Sequence, residues 1–136
     1  MLMQTRSVLL TIPLILLIYS SALASSERVE FDVQLDSAIA KVSREAAADS
    51  EGPLRLAQLI EREYGTREEE LTWAREKLLN WGEITVFAYI QATTGRSFEE
   101  MTESDARHDF WSYLERAGMS SSKMTDSLGH FYKLAE

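Results

Sequence analysis

From Trp81 to Ala92 the chain reads Trp-Gly-Glu-Ile-Thr-Val-Phe-Ala-Tyr-Ile-Gln-Ala, twelve residues that include a single charge. A run this apolar has to be covered from every side, so it dictates where the rest of the domain goes. Its β-branched and aromatic content, taken alone, favours a buried strand. The flanks favour a helix. Asn80 with Glu83 three residues on spells a capping box, the Asn side chain on a free backbone N–H and the Glu reaching back. At the other end Thr93-Thr94-Gly95 places a glycine where a helix stop takes a left-handed residue. Roughly fourteen residues between those signals is long for a strand and ordinary for a helix. A helix apolar nearly all round belongs at the centre of its domain.

The chain ahead of this run begins with what reads as a secretory leader. Arg6 is a short basic region, Val8 to Ile18 an apolar core, and Ala22-Leu23-Ala24 a small-residue cleavage site, so residues 1–24 are expected to be removed. The apolar core falls short of the roughly twenty residues that span a bilayer, and no membrane span is expected after cleavage. Removing the leader and its one charge leaves 112 residues and a net charge of −9. That balance excludes nucleic-acid and anionic-membrane surfaces, which need a basic patch. Cysteine is absent and the single asparagine, Asn80, lies outside a glycosylation sequon. Both absences fit a bacterial periplasmic or extracellular protein better than a eukaryotic secreted one.

Residues 25–31 are polar and without a period, and read as a flexible tail. Residues 32–136 read as one all-α domain, a small bundle of about five or six helices. Phe31, Leu35, Ala38, Ile39 and Val42 recur at helical spacing. Pro53 opens a helix with Leu54, Leu56, Ala57, Leu59 and Ile60 that stops at Gly65. Thr66 with Glu69 and Ser97 with Glu100 read as two further capping boxes. Trp111, Tyr113 and Leu114 mark another apolar face, and Ser120 to Ser122 precede a last helix with Met124, Leu128, Phe131, Tyr132 and Leu134.

A shift of thirty positions superposes parts of the chain on themselves. Ile60 falls on Ile90, Gly65 on Gly95, Glu69-Glu70-Leu71 on Glu99-Glu100-Met101, and Trp81 on Trp111. Thr66 and Ser97 are one position out of step, so the second turn is expected to differ by a residue. In this reading of a degenerate two-copy repeat, Trp81 and Trp111 are equivalent core anchors, provided each indole N–H finds an acceptor. Around Trp81-Gly82-Glu83-Ile84 the chain resembles a set of uncharacterised exported bacterial helical proteins that carry a Trp-Gly-Glu-Ile/Val motif. The resemblance extends over Leu54 to Leu114 and implies export and a helical fold, without implying an activity. Trp111-Ser112-Tyr113, the second copy, lacks both the glycine and the glutamate.

Few residues offer chemistry. His108 and His130 are the only near-neutral bases. On one helix Asp105, His108 and Asp109 would share a face and form a weak metal or acid–base candidate, with Glu83 as an adjunct. Glu68-Glu69-Glu70 and Glu99-Glu100 sit where first helical turns favour negative charge. There is no nucleophile elbow, phosphate loop or cysteine, and no cofactor is expected. The expectation is therefore a small exported protein-binding or structural module of the bacterial envelope, acting on an envelope protein or on itself. Its docking face is expected on the last helix at Met124, Leu128, Phe131 and Tyr132. A folding helper with an acidic surface is a variant of that reading. A metal-dependent or acid–base enzyme built on Asp105, His108 and Asp109 is the alternative.

Overall fold

The computed structural model describes residues 26–104 and 108–136, and all regular structure among them is helical. Seven helices follow one another: α1 over residues 26–47, α2 (Gly52–Tyr64), α3 (Glu68–Glu76), α4 (Trp81–Thr94), α5 (Phe98–Glu103), α6 (Phe110–Ala117) and α7 (Ser121–Ala135). The count exceeds the expected five or six. The leader and Asp105 lie outside the described residues. Among the described residues no helix is long and apolar enough to cross a membrane.

The apolar run is α4, and it lies at the centre. Ile84, Val86, Phe87, Ala88 and Ile90 are fully buried, on all sides of the helix. Around it pack α2, α5 and α7. The Phe87 ring meets Phe98 of α5 and Phe110 of α6 edge-on, at 5.8 and 5.9 Å. Such pairs add about 0.5–1.5 kcal/mol beyond the area they bury. The capping box that starts α4 is complete: Glu83 N–H donates to Asn80 Oδ1 at 2.8 Å, and Asn80 N–H to Glu83 Oε1 at 3.1 Å.

Across α4 lies α1, which begins by residue 26, so the segment expected to be a flexible tail is helical from there. Phe31 is buried, its ring 5.4 Å from Trp111, which gives the start of α1 a hydrophobic hold. The two helices approach closely at Gly82. A Cβ on that residue would lie 2.3 Å from the Ile39 carbonyl oxygen, and the Gly82 N–H donates to Ser43 Oγ at 3.2 Å. Only glycine lets two helix backbones meet so closely.

Two expectations about helix ends divide differently. Gly65 and Gly95 both adopt left-handed conformations, φ 71° and 75°, and each N–H closes on the carbonyl four residues back. Ser97 caps α5 through the Glu100 N–H, and Ser120 caps α7 through the Lys123 N–H. Thr66 does not cap α3. That helix starts at Glu68 after Arg67, which makes no capping bond, and Thr66 turns inward, buried, with its hydroxyl unpaired. The expected one-residue difference between the two turns is absent: the residues preceding α3 and α5 are Arg67 and Ser97, thirty apart.

The last helix closes the core. Met124, Leu128 and Phe131, expected on a docking face, are buried instead, and Phe131 stacks on Tyr64 at 5.6 Å. Only Tyr132 of that set is half-exposed, with the Lys41 ammonium 5.3 Å from its ring. The reason is the spacing: positions 124, 128 and 131 share one face of α7, and that face meets α2 and α4.

Candidate functional site

Two concave places hold residues with something to offer. The larger is a groove of about 650 Å³ between α2 and α3. Leu54, Ala57, Gln58 and Glu61 line its α2 wall, spaced as one stripe of a helix, and Glu68, Leu71, Thr72 and Arg75 line its α3 wall in the same way. Trp81, the first residue of α4, lies against the groove with only 8% of its surface exposed. Leu54, expected in the core by its helical spacing, is 63% exposed at the groove edge. Its neighbours Leu56, Leu59 and Ile60 take the inward face and leave it outside.

Arg75 is held inside this groove. Its Nη1 donates to the Leu79 carbonyl at 2.8 Å, and its guanidinium lies 5.1 Å from the Trp81 ring centre. The Trp81 indole N–H, which needed an acceptor to serve as a core anchor, is buried without one. Glu61, Glu68 and Glu76 stand exposed along the rim. None of the three makes a side-chain hydrogen bond or ion pair among the described residues.

The second place is a polar cleft of about 420 Å³ where α1, α4 and the start of α6 meet. Arg28, Asp32 and Asp36 face Glu83, His108 and Asp109 across it. Three of the residues suspected of acid–base or metal chemistry, Glu83, His108 and Asp109, do line one cleft, while Asp105 lies outside the described residues. The premise that put His108 and Asp109 on a helix face does not hold. His108 sits in a turn, and Asp109, at φ −147° and ψ 76°, is the residue before α6. Its carboxylate is already engaged: Oδ1 accepts the Ser112 N–H at 3.1 Å, and Oδ2 accepts the Ser112 hydroxyl and Arg28 Nη2, each at 2.8 Å. Those Ser112 bonds, with Arg28 beyond them, hold the Asp109 carboxyl below its ordinary value. Glu83 is engaged in its capping box. Among the described residues no group of three His, Cys, Asp or Glu could hold a metal ion.

The remaining acids are placed by helix physics. Glu68, Glu69 and Glu70 occupy the first turn of α3, and Glu99 and Glu100 that of α5. His130 is exposed on α7. Trp111 is half-buried against Phe31, a lesser anchor than Trp81. Sequence reasoning missed the groove altogether, although the signal was present in two helical stripes, 54-57-58-61 and 68-71-72-75. It also missed Leu78, 84% exposed and left-handed at φ 61°, in the link between α3 and α4. No protein family, no curated protein and no solved structure matches this chain.

Proposed function

We propose that the protein is exported, by way of the leader that ends at Ala22-Leu23-Ala24, and works in the bacterial envelope as a small protein-binding module. The α2–α3 groove is its docking surface. One observation carries this reading: Leu54 leaves 63% of its surface in water at the edge of a groove backed by Leu71 and Trp81. Apolar surface gathered in a concavity between helices is where a partner side chain gains most by leaving water. The thirty-residue correspondence belongs to the same proposal. α2 and α4 end thirty residues apart, as do the glycines that stop them, and α3 and α5 begin thirty apart. Duplication of a helix–stop–short-helix unit accounts for this, with the groove formed in the first copy.

The test is a photo-crosslinking amino acid placed at position 54 and, as a control, at exposed position 134, in the protein exported by its own host. Adducts of defined mass at 54 alone support docking at the groove. The same adducts at both positions, or none at 54, refute it.

One arrangement favours a second reading, an acid–base enzyme: Glu83, His108 and Asp109 line one cleft with Asp32 and Asp36. Its test is the proton chemical shift of His108 on adding zinc or manganese, and an unmoved resonance with an unmoved melting temperature rules out the metal form.

A further inference from the structure

Resting on the reading of the groove as a docking surface, we propose that its occupant is a cationic amphipathic segment of a partner protein. An apolar side chain of that segment sits between Leu54 and Trp81, and its lysines or arginines pair with Glu61, Glu68 and Glu76. The apolar floor and the acidic rim are set by the same geometry. On α2, Leu54 and Ala57 lie on the stripe that ends at Glu61. On α3, Leu71 lies three residues beyond Glu68 and five before Glu76. Two helices side by side thus present apolar groups along the seam with carboxylates at its margins.

The charge in this groove is uncompensated. Among the described residues that line it the single cation is Arg75, and that guanidinium is occupied by the Leu79 carbonyl and the Trp81 ring. Some acids elsewhere have partners, as Asp49 has Arg55, Asp109 has Arg28 and Glu70 has Gln91. Others among the described residues, such as Glu99, Glu115 and Asp126, are as unpaired as the groove acids, and what sets Glu61, Glu68 and Glu76 apart is the apolar concavity they border. Carboxylates beside an apolar wall concentrate their field in the cleft and draw cations to it. Each is then better satisfied by a cation that arrives with apolar surface of its own than by a hydrated ion.

Other occupants fit less well. A second copy of this chain would bring an equally acidic rim against the first. Nucleic acid and anionic lipid carry the wrong sign. The dimensions suit a peptide, since the nine residues of α3 extend about 13 Å, the length of two to three helical turns. A helix laid in such a groove presents its apolar anchors at positions three and four apart.

The experiment uses the whole protein and three fluorescent peptides of about 14 residues, long enough to span the groove. One carries lysines with a leucine stripe, one replaces the lysines by glutamates, and one replaces the leucines by serines. Anisotropy titrations should show saturable binding of the Lys/Leu peptide, with both others weaker by about tenfold or more, and binding that weakens as salt is raised. L54S and the triple variant E61Q/E68Q/E76Q should each lower affinity about tenfold at unchanged melting temperature, all four side chains being exposed. A second triple variant, E99Q/E115Q/D126Q, should bind as the parent does. Equal losses in the two triple variants would reduce the effect to bulk charge and overturn the proposal. So would undiminished binding by E61Q/E68Q/E76Q, or no saturable binding at all. The crosslink at position 54 separates this proposal from the reading beneath it. Adducts whose linked segment is not basic leave the docking surface standing and remove its cationic occupant.

Discussion

Gly82→Ala is the substitution that most directly interrogates the fold. The added Cβ would stand 2.3 Å from the Ile39 carbonyl oxygen, 2.6 Å from its Cα and 2.7 Å from its Cγ2. Two of those atoms are backbone and cannot swing aside. Restoring an ordinary contact of about 3.5 Å moves α1 away from α4 by about 1 Å. A gap of that size forfeits a quarter to a half of the dispersion along the crossing, where Leu35, Val42 and Ala46 are buried. The Gly82 N–H also loses Ser43, which costs about 1 kcal/mol. Overpacking of this kind typically costs about 1–3 kcal/mol, and alanine's better helix propensity returns up to about 1. The net expectation is a loss of about 2–3 kcal/mol, read as a melting temperature lower by about 8–12 °C. Gly129→Ala is the internal control. It too lies within a helix, α7, but nothing stands within 4 Å of its would-be Cβ, so it should raise the midpoint by about 2–4 °C. If Gly82→Ala melts at or above the parent while Gly129→Ala behaves as expected, the close crossing of α1 and α4 is wrong.

The other predictions concern single groups. Thr66→Val should leave stability unchanged or raise it by about 1 kcal/mol, because it removes an unpaired buried hydroxyl; a loss of that size would restore Thr66 as a cap. Asp109→Ala should cost about 1 kcal/mol at neutral pH through the α6 cap, while Asp109→Asn should cost less. Because the folded Asp109 carboxyl titrates below its unfolded value of about 4, its contribution is present above that pH and lost as pH falls below it. The gap between parent and Asp109→Ala in acid denaturation should therefore close below about pH 4. Tyr64 is pushed the other way: burial raises its phenol, and the Ser127 bond at 3.1 Å only partly opposes this. Its neutral form contributes stability below about pH 10, which is lost as pH rises beyond, so the parent should lose more stability than Tyr64→Phe in alkaline melts.

The all-α fold was legible because its strongest signals were local. The capping box at Asn80 and Glu83, the glycine stops at 65 and 95 and the proline in the first turn of α2 need no long-range information. Central burial of α4 followed from its lack of a polar face. The failures are failures of distance. Thr66 spells a cap as well as Ser97 does, yet it is buried with its hydroxyl unpaired, which local spacing does not show. Residues 26–31 have no period of their own and are helical because Phe31 reaches Trp111, eighty residues away. Met124, Leu128 and Phe131 looked surplus to the core only because the depth of that core could not be counted in advance. The groove is hidden for a related reason: each wall is an ordinary amphipathic stripe, and its concavity exists only once α3 lies beside α2.

Trp81, Gly82 and Glu83 illustrate how far a short motif can be explained once its surroundings are known. The three residues turn to three different neighbours. Trp81 faces the α2–α3 groove under Arg75, Gly82 receives the backbone of α1, and Glu83 closes the cap of its own helix. The motif is thus a joint where α4 meets α1, α2 and α3, and each position has its own steric or hydrogen-bonding demand. Trp111-Ser112-Tyr113, at the start of α6, meets different neighbours. At Trp111-Ser112-Tyr113 the helix is capped by Asp109 through Ser112, so no glutamate is needed to complete a box. There the Phe31 ring of α1 meets the Trp111 ring at 5.4 Å, a contact made by side chains that requires no glycine. To the start of α4, α1 thus brings its bare backbone at Ile39, and to the start of α6 an aromatic side chain.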